Sequence, residues 1–236
     1  MAYKGKKISV VIPSYNEEEN ISTVIEDFSR SFIDEIIVID NNSTDKTNLF
    51  ARESGAAVIV EKKQGYGFAI IRGLKEAKGD IVIITEADQT FQGKDMEKLL
   101  AYIEDADMVL GTRTCRELIG KGANMGFLLR WGNFFMAKLL QTLYGNIRLS
   151  DMGCTFRCIR KTALNKIIDS LQVGGSYFAP EMIIEALRAN LKVIEIPVNY
   201  RHRVGKGKIT SASKWNAFKV GLEMLHLILR RYLIRK

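Results

Sequence analysis

Several residue types that build common functional sites are scarce in this sequence. Its 236 residues include only three cysteines, too few and too odd in number for a disulfide framework, which favours a reducing compartment. Three prolines and no biased tract exclude collagen-like and low-complexity chains. The two histidines, His202 and His226, both lie beyond residue 200. A Ser-His-Asp triad or a histidine-based metal site in the first 200 residues is therefore excluded.

Long apolar segments and two familiar motifs are also missing. The apolar run within residues 1–13 is too short for a signal peptide, so we expect an intracellular chain. The longest uncharged stretch near the C-terminus, residues 224–229, falls far short of the roughly 20 residues that span a bilayer. Neither a G-x-x-x-x-G-K-[ST] loop nor a G-x-S-x-G turn occurs, which argues against a P-loop NTPase and an α/β-hydrolase.

Positive charge is concentrated at the C-terminus. The net charge is +8, and residues 201–236 carry ten basic residues against one acidic residue. The first 200 residues are therefore close to neutral. A neutral body with a basic tail predicts an anionic partner for the tail, which is a membrane surface, a phosphate group or a nucleic acid.

The basic tail also carries an apolar stripe. Its members recur at spacings of three and four residues, which predicts a helix; they are Trp215, Phe218, Leu222, Leu225, Leu229 and Tyr232. Two interpretations stay open: an interfacial helix on a membrane surface, or a terminal helix docked on the domain core. Residues 127–140 mix aromatic, basic and aliphatic residues in the same way and are likewise interrupted by charge.

The first half of the chain alternates short aliphatic runs with helical patterns. Strands are predicted at residues 8–12, 35–39, 57–60, 81–85 and 108–110, and helices at 17–31, 45–53, 67–78 and 94–104. Continuous aliphatic strands separated by helices indicate βαβ units on a parallel sheet. We expect one such domain over residues 1–210, followed by the basic amphipathic helix at 211–236. Ligands of these sheets bind beyond the carboxyl ends of the strands.

Polar residues follow the first three predicted strands. Asn16 is placed to cap the first helix, and Asp40 to accept hydrogen bonds from a ribose or base. An Asx-rich turn at residues 40–45 is the alternative interpretation. Gly65 and Gly67 open the third helix and would let the backbone approach a ligand closely.

Two carboxylates follow the fourth predicted strand. Glu86 and Asp88 are two residues apart and offer hard oxygen ligands. Mg²⁺ or Mn²⁺ typically takes one or two protein carboxylates together with the phosphates of a substrate. A diphosphate leaving group needs its charge neutralised in this way.

These motifs, in this order, resemble the family 2 glycosyltransferases, which are inverting enzymes with a GT-A fold. The resemblance rests on V-I-P-S-Y-N-E at residues 11–17, V-I-D-N-N-S-T-D at 38–45, G-Y-G at 65–67 and E-A-D at 86–88. Segments 111–113, 150–157, 177–185 and 205–208 are most similar to dolichyl- and polyprenyl-phosphate mannose or glucose synthases. The implied fold is a mainly parallel, Rossmann-like α/β sheet with helices on both faces and a C-terminal amphipathic helix.

The resemblance also implies roles for individual residues. The nucleotide would be held by Pro13, Tyr15, Glu17, Asp40, Asn42 and Gly65. Glu86 and Asp88 would hold Mg²⁺ or Mn²⁺ and the donor diphosphate. The lipid phosphate would be held by Arg113, Arg130, Arg203 and Lys208. The chain departs from the family pattern at Glu86, Thr90 and Gly207, where aspartate, glutamine and serine are usual.

The implied reaction moves a sugar from a GDP- or UDP-sugar to a polyprenyl or dolichyl phosphate with inversion. Its expected catalytic residues are Asp88, Arg113 and Asp151. A phosphate acceptor is mostly dianionic at neutral pH and needs no general base. Asp151 would be the base if the acceptor were a hydroxyl group, or else a turn carboxylate paired with Arg148 or Arg157.

The expected setting is peripheral, on the cytoplasmic face of a membrane. The membrane surface is an expected partner, a membrane-spanning protein is a further one, and nucleic acid is not expected. A function of another class, a basic membrane- or nucleic-acid-binding module, remains an alternative that the charged tail alone would allow.

Overall fold

The computed structural model describes residues 3–29, 31–123, 127–145, 147–205 and 214–234. The strands are β1 (Ile8–Ser14), β2 (Glu35–Asp40), β3 (Ala57–Val60), β4 (Ile81–Ile84), β5 (Met108–Thr112), β6 (Arg157–Arg160) and β7 (Val193–Pro197). The α-helices are α1 (Ile21–Phe28), α2 (Thr47–Glu53), α3 (Tyr66–Glu76), α4 (Met96–Tyr102), α5 (Phe127–Tyr144), α6 (Lys161–Ile167), α7 (Phe178–Arg188) and α8 (Lys214–Leu233). The five predicted strands and four predicted helices are all present, with shifts of a few residues at their ends.

The strands form one sheet in the order β3-β2-β1-β4-β6-β5-β7. All neighbouring pairs are parallel except those of β6, which runs antiparallel to both β4 and β5. The chain proceeds from β1 outward to β3 and then returns to place β4 on the other side of β1. The loops after β1 and β4 therefore leave in opposite directions, and such a switch point opens a crevice at the carboxyl edge of the sheet.

Helices cover both faces of this sheet, and each face has its own apolar core. Ile8, Val10 and Ile12 of β1 pack with α1, α2 and α4, whereas Val11 packs with α3 and α5–α8. Successive side chains of a strand point to opposite faces, so a strand buried on both sides must be aliphatic throughout. The predicted mainly parallel α/β sheet with helices on both faces is confirmed.

The loop between β1 and α1 differs from its prediction. The first helix begins at Ile21 rather than at residue 17, and Asn16 does not cap it. Asn16 has a φ of +52°, and its Oδ1 accepts a hydrogen bond of 2.7 Å from the backbone N–H of Thr44. The asparagine side chain therefore ties the loop after β1 to the loop after β2, which joins two walls of the crevice.

The C-terminal helix α8 is docked on the domain and also presents an apolar outer surface. Its buried side consists of Val220, Met224, Leu227 and Ile228, and it packs on α5 and α7. Four members of the predicted stripe are exposed, and two of them also line the cavity described below: Trp215, Phe218, Leu222 and Leu229. Within the described ranges, no helix is both long and apolar enough to cross a bilayer.

The docked position of α8 leads to a prediction about the free energy of unfolding. Ile228 is fully buried, whereas its neighbour Leu229 is 42% exposed. We expect Ile228→Ala to lower the free energy of unfolding by about 2–4 kcal/mol, since it leaves a cavity, and Leu229→Ala to lower it by less than about 1 kcal/mol. Urea unfolding of the two variants measures the difference. Equal effects would contradict the docked position of α8.

Candidate active site

A cavity of about 710 Å³ opens at the carboxyl edge of the sheet, beside the switch point between β1 and β4. Its lining includes two chemically different sets of side chains. The charged set is Glu17, Glu86, Asp88, Arg113 and Arg203, and the part of the wall that it forms is called the acidic end below. The apolar set comes from α5 and α8 and forms what is called the apolar end: Met136, Phe218, Val220, Leu222 and Met224.

The acidic pair that follows β4 lies on the charged side of this cavity. Glu86 Oε1 accepts hydrogen bonds from the Tyr66 hydroxyl at 2.7 Å and from Thr155 Oγ1 at 2.6 Å. Asp88 Oδ1 accepts from the backbone N–H of Thr90 at 3.1 Å and also from its hydroxyl. Burial, and after it the negative charge of Asp88, raises the pKa of Glu86. Thr90, one of the departures from the family pattern, thus orients the second carboxylate.

Arg203 lies between two carboxylates that come from different loops. Its Nη2 is 2.7 Å from Glu17 Oε1 and its Nη1 is 2.9 Å from Asp88 Oδ2. The Nε of the same guanidinium is buried and has no hydrogen-bond partner within the described part of the chain. Arg203 therefore compensates the negative charge of the acidic end and joins the loop after β1 to the loop after β4.

The acidic end fits a divalent cation by its donor set. Glu86 and Asp88 supply hard oxygen atoms facing one cavity, and two carboxylates are what Mg²⁺ or Mn²⁺ uses when substrate phosphates complete its shell. Over the residues that the structure covers, no group of three or more His, Cys, Asp or Glu side chains is placed to hold a metal on its own. A cation here would depend on oxygen atoms from a ligand and would compete with Arg203 for Asp88.

Arg113 and Asp151 form a buried, bidentate ion pair. Arg113 Nε is 2.7 Å from Asp151 Oδ2, and Nη2 is 2.9 Å from Oδ1. Asp151 also accepts the backbone N–H groups of Arg113 and Gly153, each at 3.1 Å. Pairing of Asp151 with Arg148 or Arg157 was the wrong expectation. The sequence does not reveal the true partner because Arg113 follows β5, 38 positions before Asp151 in the chain.

The charge of Arg113 decides the protonation of Asp151. Burial alone would raise the pKa of Asp151, but the guanidinium and its hydrogen bonds outweigh burial and lower the pKa below its usual range. A carboxylate with a lowered pKa is a weak proton acceptor. In this arrangement Asp151 orients Arg113, whose guanidinium also lies 5.1 Å from the centre of the Tyr200 ring.

Glu195 is a functional residue that the sequence did not reveal. From β7, its carboxylate accepts the backbone N–H groups of Ser150 at 2.8 Å and Asp151 at 2.9 Å, together with the Ser150 hydroxyl at 2.7 Å. These bonds fix the turn that presents Asp151 to Arg113. No local motif announces such a role, because Glu195 is 44 positions away from Asp151 in the chain.

The predicted nucleotide-binding residues fall into two groups. Four of them line the cavity: Pro13, Tyr15, Glu17 and Gly65. Asp40 and Asn42 instead hold the loop after β2 together. Asp40 accepts from the backbone N–H of Ser43 at 3.0 Å and from Asn48 Nδ2 at 2.9 Å, and Asn42 donates to the Lys62 carbonyl at 2.7 Å.

Asn41 lies between these two residues and was missed. It lines the cavity, and its Oδ1 accepts the backbone N–H of Gly65 at 2.8 Å. Its amide donates to the carbonyls of Glu61 and Lys63, each at 2.9 Å. One side chain thus fixes the start of α3 to the end of β2. The only signal in the sequence was its place in an Asx-rich turn.

The other two predicted phosphate ligands are not among the described residues of the cavity wall. Arg130 lies on α5 and donates to the Thr114 carbonyl at 3.4 Å; it is not part of the cavity wall. Lys208 lies outside the described residues. Asn133, one turn further along α5 than Arg130, does line the cavity and was not predicted.

Arg157 has a place in the structure that the sequence did not predict. It begins β6 in a fully buried position, and its guanidinium donates to the carbonyls of Ala179 and Cys154. Burial lowers its pKa. Its hydrogen bonds join the segment carrying Thr155 to the start of α7, so it supports the floor of the site.

A mostly parallel sheet with a carboxylate pair at its switch point, beside a cleft of this size, agrees with the GT-A fold that the motifs predicted. The family model of glycosyl transferase family 2 matches residues 9–168. The chain belongs to glycosyltransferase family 2, as its motifs predicted.

Two relatives from Haloferax volcanii bear names that describe their activity. The low-salt glycan biosynthesis hexosyltransferase Agl6 is 33% identical over 211 residues, which are 86% of this chain and 50% of the relative. A dolichyl-phosphate hexose transferase is 32% identical over 211 residues, which are 88% of each chain. The chain thus spans half of the first relative and nearly all of the second.

Solved structures of glucosyl-3-phosphoglycerate synthase from Mycobacterium tuberculosis share this fold. The complex of that enzyme with Mn²⁺, UDP-glucose and phosphoglyceric acid has a TM-score of 0.74 at 21% identity, covering 97% of this chain and 80% of that one. At this identity the similarity establishes the GT-A fold alone.

The Arg113–Asp151 pair makes a prediction for the pH dependence of stability. Because the pKa of Asp151 is lower in the folded chain than the value of about 3.9 expected when unfolded, the pair stabilises the fold above that pH. This contribution is lost as the pH falls through the folded-state pKa. We expect Asp151→Asn to lower the free energy of unfolding by about 3 kcal/mol or more near neutral pH, since it leaves a buried guanidinium unpaired.

Urea unfolding of the wild type and Asp151→Asn from about pH 7 down to about pH 3 tests this, because the difference should shrink on acidification. Asp105→Asn, which alters an exposed carboxylate, is the control and should change stability little at either pH. A difference between wild type and Asp151→Asn that stays constant with pH would contradict the assignment.

Proposed function

We propose that the chain transfers a hexose from a nucleoside diphosphate sugar to a polyprenyl phosphate, with inversion at the anomeric carbon. The observation that carries this proposal is one cavity lined by two unlike sets of side chains. One set is charged, and the other set, from α5 and α8, is apolar. A sugar diphosphate requires the first kind of surface, and a prenyl chain requires the second.

The donor would bind at the acidic end. Glu86 and Asp88 are the residues that would hold Mg²⁺ or Mn²⁺, and a bound ion would neutralise charge on the departing diphosphate. Arg203 keeps the carboxylates compensated before the donor arrives. The nucleotide would contact the adjoining wall, which includes Pro13, Tyr15, Asn41 and Gly65.

The acceptor phosphate would lie near Arg113, which reaches the same cavity. Arg203 is the second guanidinium available to it, while the roles of Arg130 and Lys208 rest on the resemblance alone. A phosphate monoester has a second pKa of about 6 and is mostly dianionic at neutral pH, so it can attack the anomeric carbon without a general base. The catalytic contribution of the protein is then positioning and charge stabilisation.

The state of Asp151 favours a phosphate acceptor over a hydroxyl acceptor. A hydroxyl group would need a base to remove its proton. Asp151 is the carboxylate that the sequence offered for this task, yet its two oxygen atoms are bound by Arg113 and its pKa is lowered. Asp151 fits the task of holding Arg113 in position.

The apolar end supports a lipid acceptor. Met136 of α5 and Leu222 and Met224 of α8 line a continuation of the charged cavity. A relative that is 32% identical over 88% of this chain is named a dolichyl-phosphate hexose transferase, which agrees with a prenyl chain in this position. The acceptor in the solved structures, phosphoglyceric acid, is phosphorylated but carries no lipid, so these structures are silent on the apolar end.

The same two helices would lie on the membrane surface. Trp131, Phe134 and Phe135 on α5 and Trp215 on α8 are exposed. Aromatic side chains favour the interface, and each basic residue near an anionic leaflet adds about 1 kcal/mol of attraction. We therefore propose peripheral association with the cytoplasmic face, where the acceptor lipid enters. A membrane-spanning partner stays a prediction from the sequence.

Incubation of the protein with a panel of sugar nucleotides, Mg²⁺ or Mn²⁺ and a polyprenyl phosphate tests the reaction. Mass spectrometry of the lipid phase should detect a hexosylated polyprenyl phosphate, and chelation of the metal should abolish it. Polyprenol with the same chain is the matched control and should receive no sugar. Transfer to polyprenol at a similar rate would contradict a phosphate nucleophile.

Asp88 provides the sharpest single substitution. We expect Asp88→Asn to lower kcat by about 100-fold or more, since it removes a charge that would hold the cation. Asp105→Asn makes the same chemical change at an exposed position and should leave kcat unchanged. Steady-state kinetics and thermal unfolding of both variants give the comparison. Activity of Asp88→Asn within tenfold of the wild type would refute its role in cation binding.

Membrane association can be tested separately from catalysis. Trp215 and Phe135 are 72% and 61% exposed. We expect Trp215→Ser or Phe135→Ser to weaken binding to anionic vesicles by about tenfold, because each removes a large apolar side chain from the interface. Tyr102 on α4, at the opposite face of the sheet, is 51% exposed, and Tyr102→Ser should bind like the wild type. Sedimentation with vesicles measures all three, and equal losses would exclude this orientation.

A further inference from the structure

A buried carboxylate joins the C-terminal helix to a loop near the nucleotide site. Glu181, in the first turn of α7, is fully buried, and its two oxygen atoms bind different elements. Oε2 accepts the backbone N–H groups of Gln172 and Val173 at 3.0 and 2.8 Å. Oε1 accepts a hydrogen bond of 2.9 Å from Arg231 Nη2 on α8.

Arg231 compensates the negative charge of the buried Glu181 carboxylate. A buried carboxylate without a partner is strongly destabilising, and the guanidinium of Arg231 supplies both charge and hydrogen bonds. Its Nη1 also lies 3.4 Å from Glu185 Oε1, one turn further along α7. One ion pair therefore connects the position of α8 along α7 to the position of the Gln172–Val173 segment.

That segment packs directly on the start of α3. The Gly174 carbonyl accepts the backbone N–H of Gly67 at 2.9 Å. A Cβ at Gly65 or Gly67 would collide with the backbone of Val173 or Gly174, so the two loops approach as closely as glycine allows. Residues 65–67 at the start of α3 are called the glycine turn below. A displacement of the loop containing Val173 would therefore displace the glycine turn.

The glycine turn contacts two residues of the proposed donor site, one after β2 and one after β4. Gly65 donates its N–H to Asn41 Oδ1, and the Tyr66 hydroxyl donates to Glu86 Oε1. The chain of contacts thus runs from Arg231 through Glu181 and Gly174 to Glu86. Every step in it is a hydrogen bond or a backbone contact of fixed geometry.

We propose that Arg231 and Glu181 are positioning residues for donor binding, which couple the docking of α8 to the glycine turn at the nucleotide site. This inference rests on the proposed function, because it assumes that a nucleoside diphosphate binds beside Gly65 and Glu86.

Two neighbouring arginines provide a matched test. Arg230→Met and Arg231→Met each remove one positive charge from the last turns of α8, but Arg230 is exposed and makes no contact with Glu181. In calorimetric titrations of the full chain with UDP and GDP in Mn²⁺, we expect Arg231→Met to raise the Kd by about fivefold or more and Arg230→Met to change it less than about twofold. Arg231→Lys should give an intermediate Kd, since lysine restores the charge but not the fork that reaches Glu185.

Amide hydrogen exchange provides a second readout that does not depend on nucleotide. The N–H groups of Gln172, Val173 and Gly67 should exchange faster in Arg231→Met than in Arg230→Met, while the amides of β1 and β4 remain protected alike. A merely structural role would speed exchange in α8 and lower the melting temperature without a selective effect on Gly67. Unchanged protection of Val173 and Gly67 in Arg231→Met would overturn the proposal.

The failures of the two proposals can be distinguished. If the wild type binds neither nucleotide under these conditions, the proposed function fails and the coupling to donor binding fails with it. If the wild type binds and Arg231→Met binds with the same Kd, the proposed function stands and the positioning role is refuted. If Arg231→Met does not fold, the same comparison between Arg231→Lys and Arg230→Lys decides, with a Kd raised only in Arg231→Lys as the supporting result.

Discussion

The concentration of like charge at one edge of the sheet is the constraint on which the rest of the site depends. The loops after β1 and β4 bring Glu17, Glu86 and Asp88 to one cavity, where carboxylates repel one another and lose hydration. Arg203 relieves that repulsion by binding Glu17 and Asp88. Under the proposed function, this negative charge would be available to a divalent cation that accompanies the donor diphosphate. The repulsion between Glu86 and Asp88 also explains why this pair needs hydroxyl donors such as Tyr66 to stay in place.

The second half of the chain supplies what this acidic edge lacks. β7 presents Glu195, which fixes the turn bearing Asp151, and Asp151 in turn orients Arg113 toward the cavity. Helices α5 and α8 add an apolar wall that continues from the charged one. The proposed transfer to a lipid phosphate depends on this adjacency. Its donor is charged, and its acceptor carries a long apolar chain, so each suits one of the two sets of side chains.

The sequence predicted the parts of the site that depend on local patterns. Aliphatic strands followed by polar loops identified the carboxyl edge, and Glu86 and Asp88 were recognised from their place after β4. The partner of Asp151 could not be predicted, because Arg113 is 38 positions away in the chain. Asn41 and Glu195 were missed because their hydrogen-bond partners are likewise 20 to 45 positions away. The stripe on α8 was found correctly, but whether it faced the core or solvent depended on packing against α5 and α7.

The central claim is that the carboxylates after β4 bind a divalent cation together with the donor diphosphate. Anomalous diffraction from crystals soaked with Mn²⁺ and a nucleoside diphosphate measures this most directly. The account predicts a manganese peak in direct contact with an Asp88 oxygen and with diphosphate oxygens, and Arg203 turned away from Asp88. A bound nucleotide with no manganese touching either Glu86 or Asp88 would contradict it.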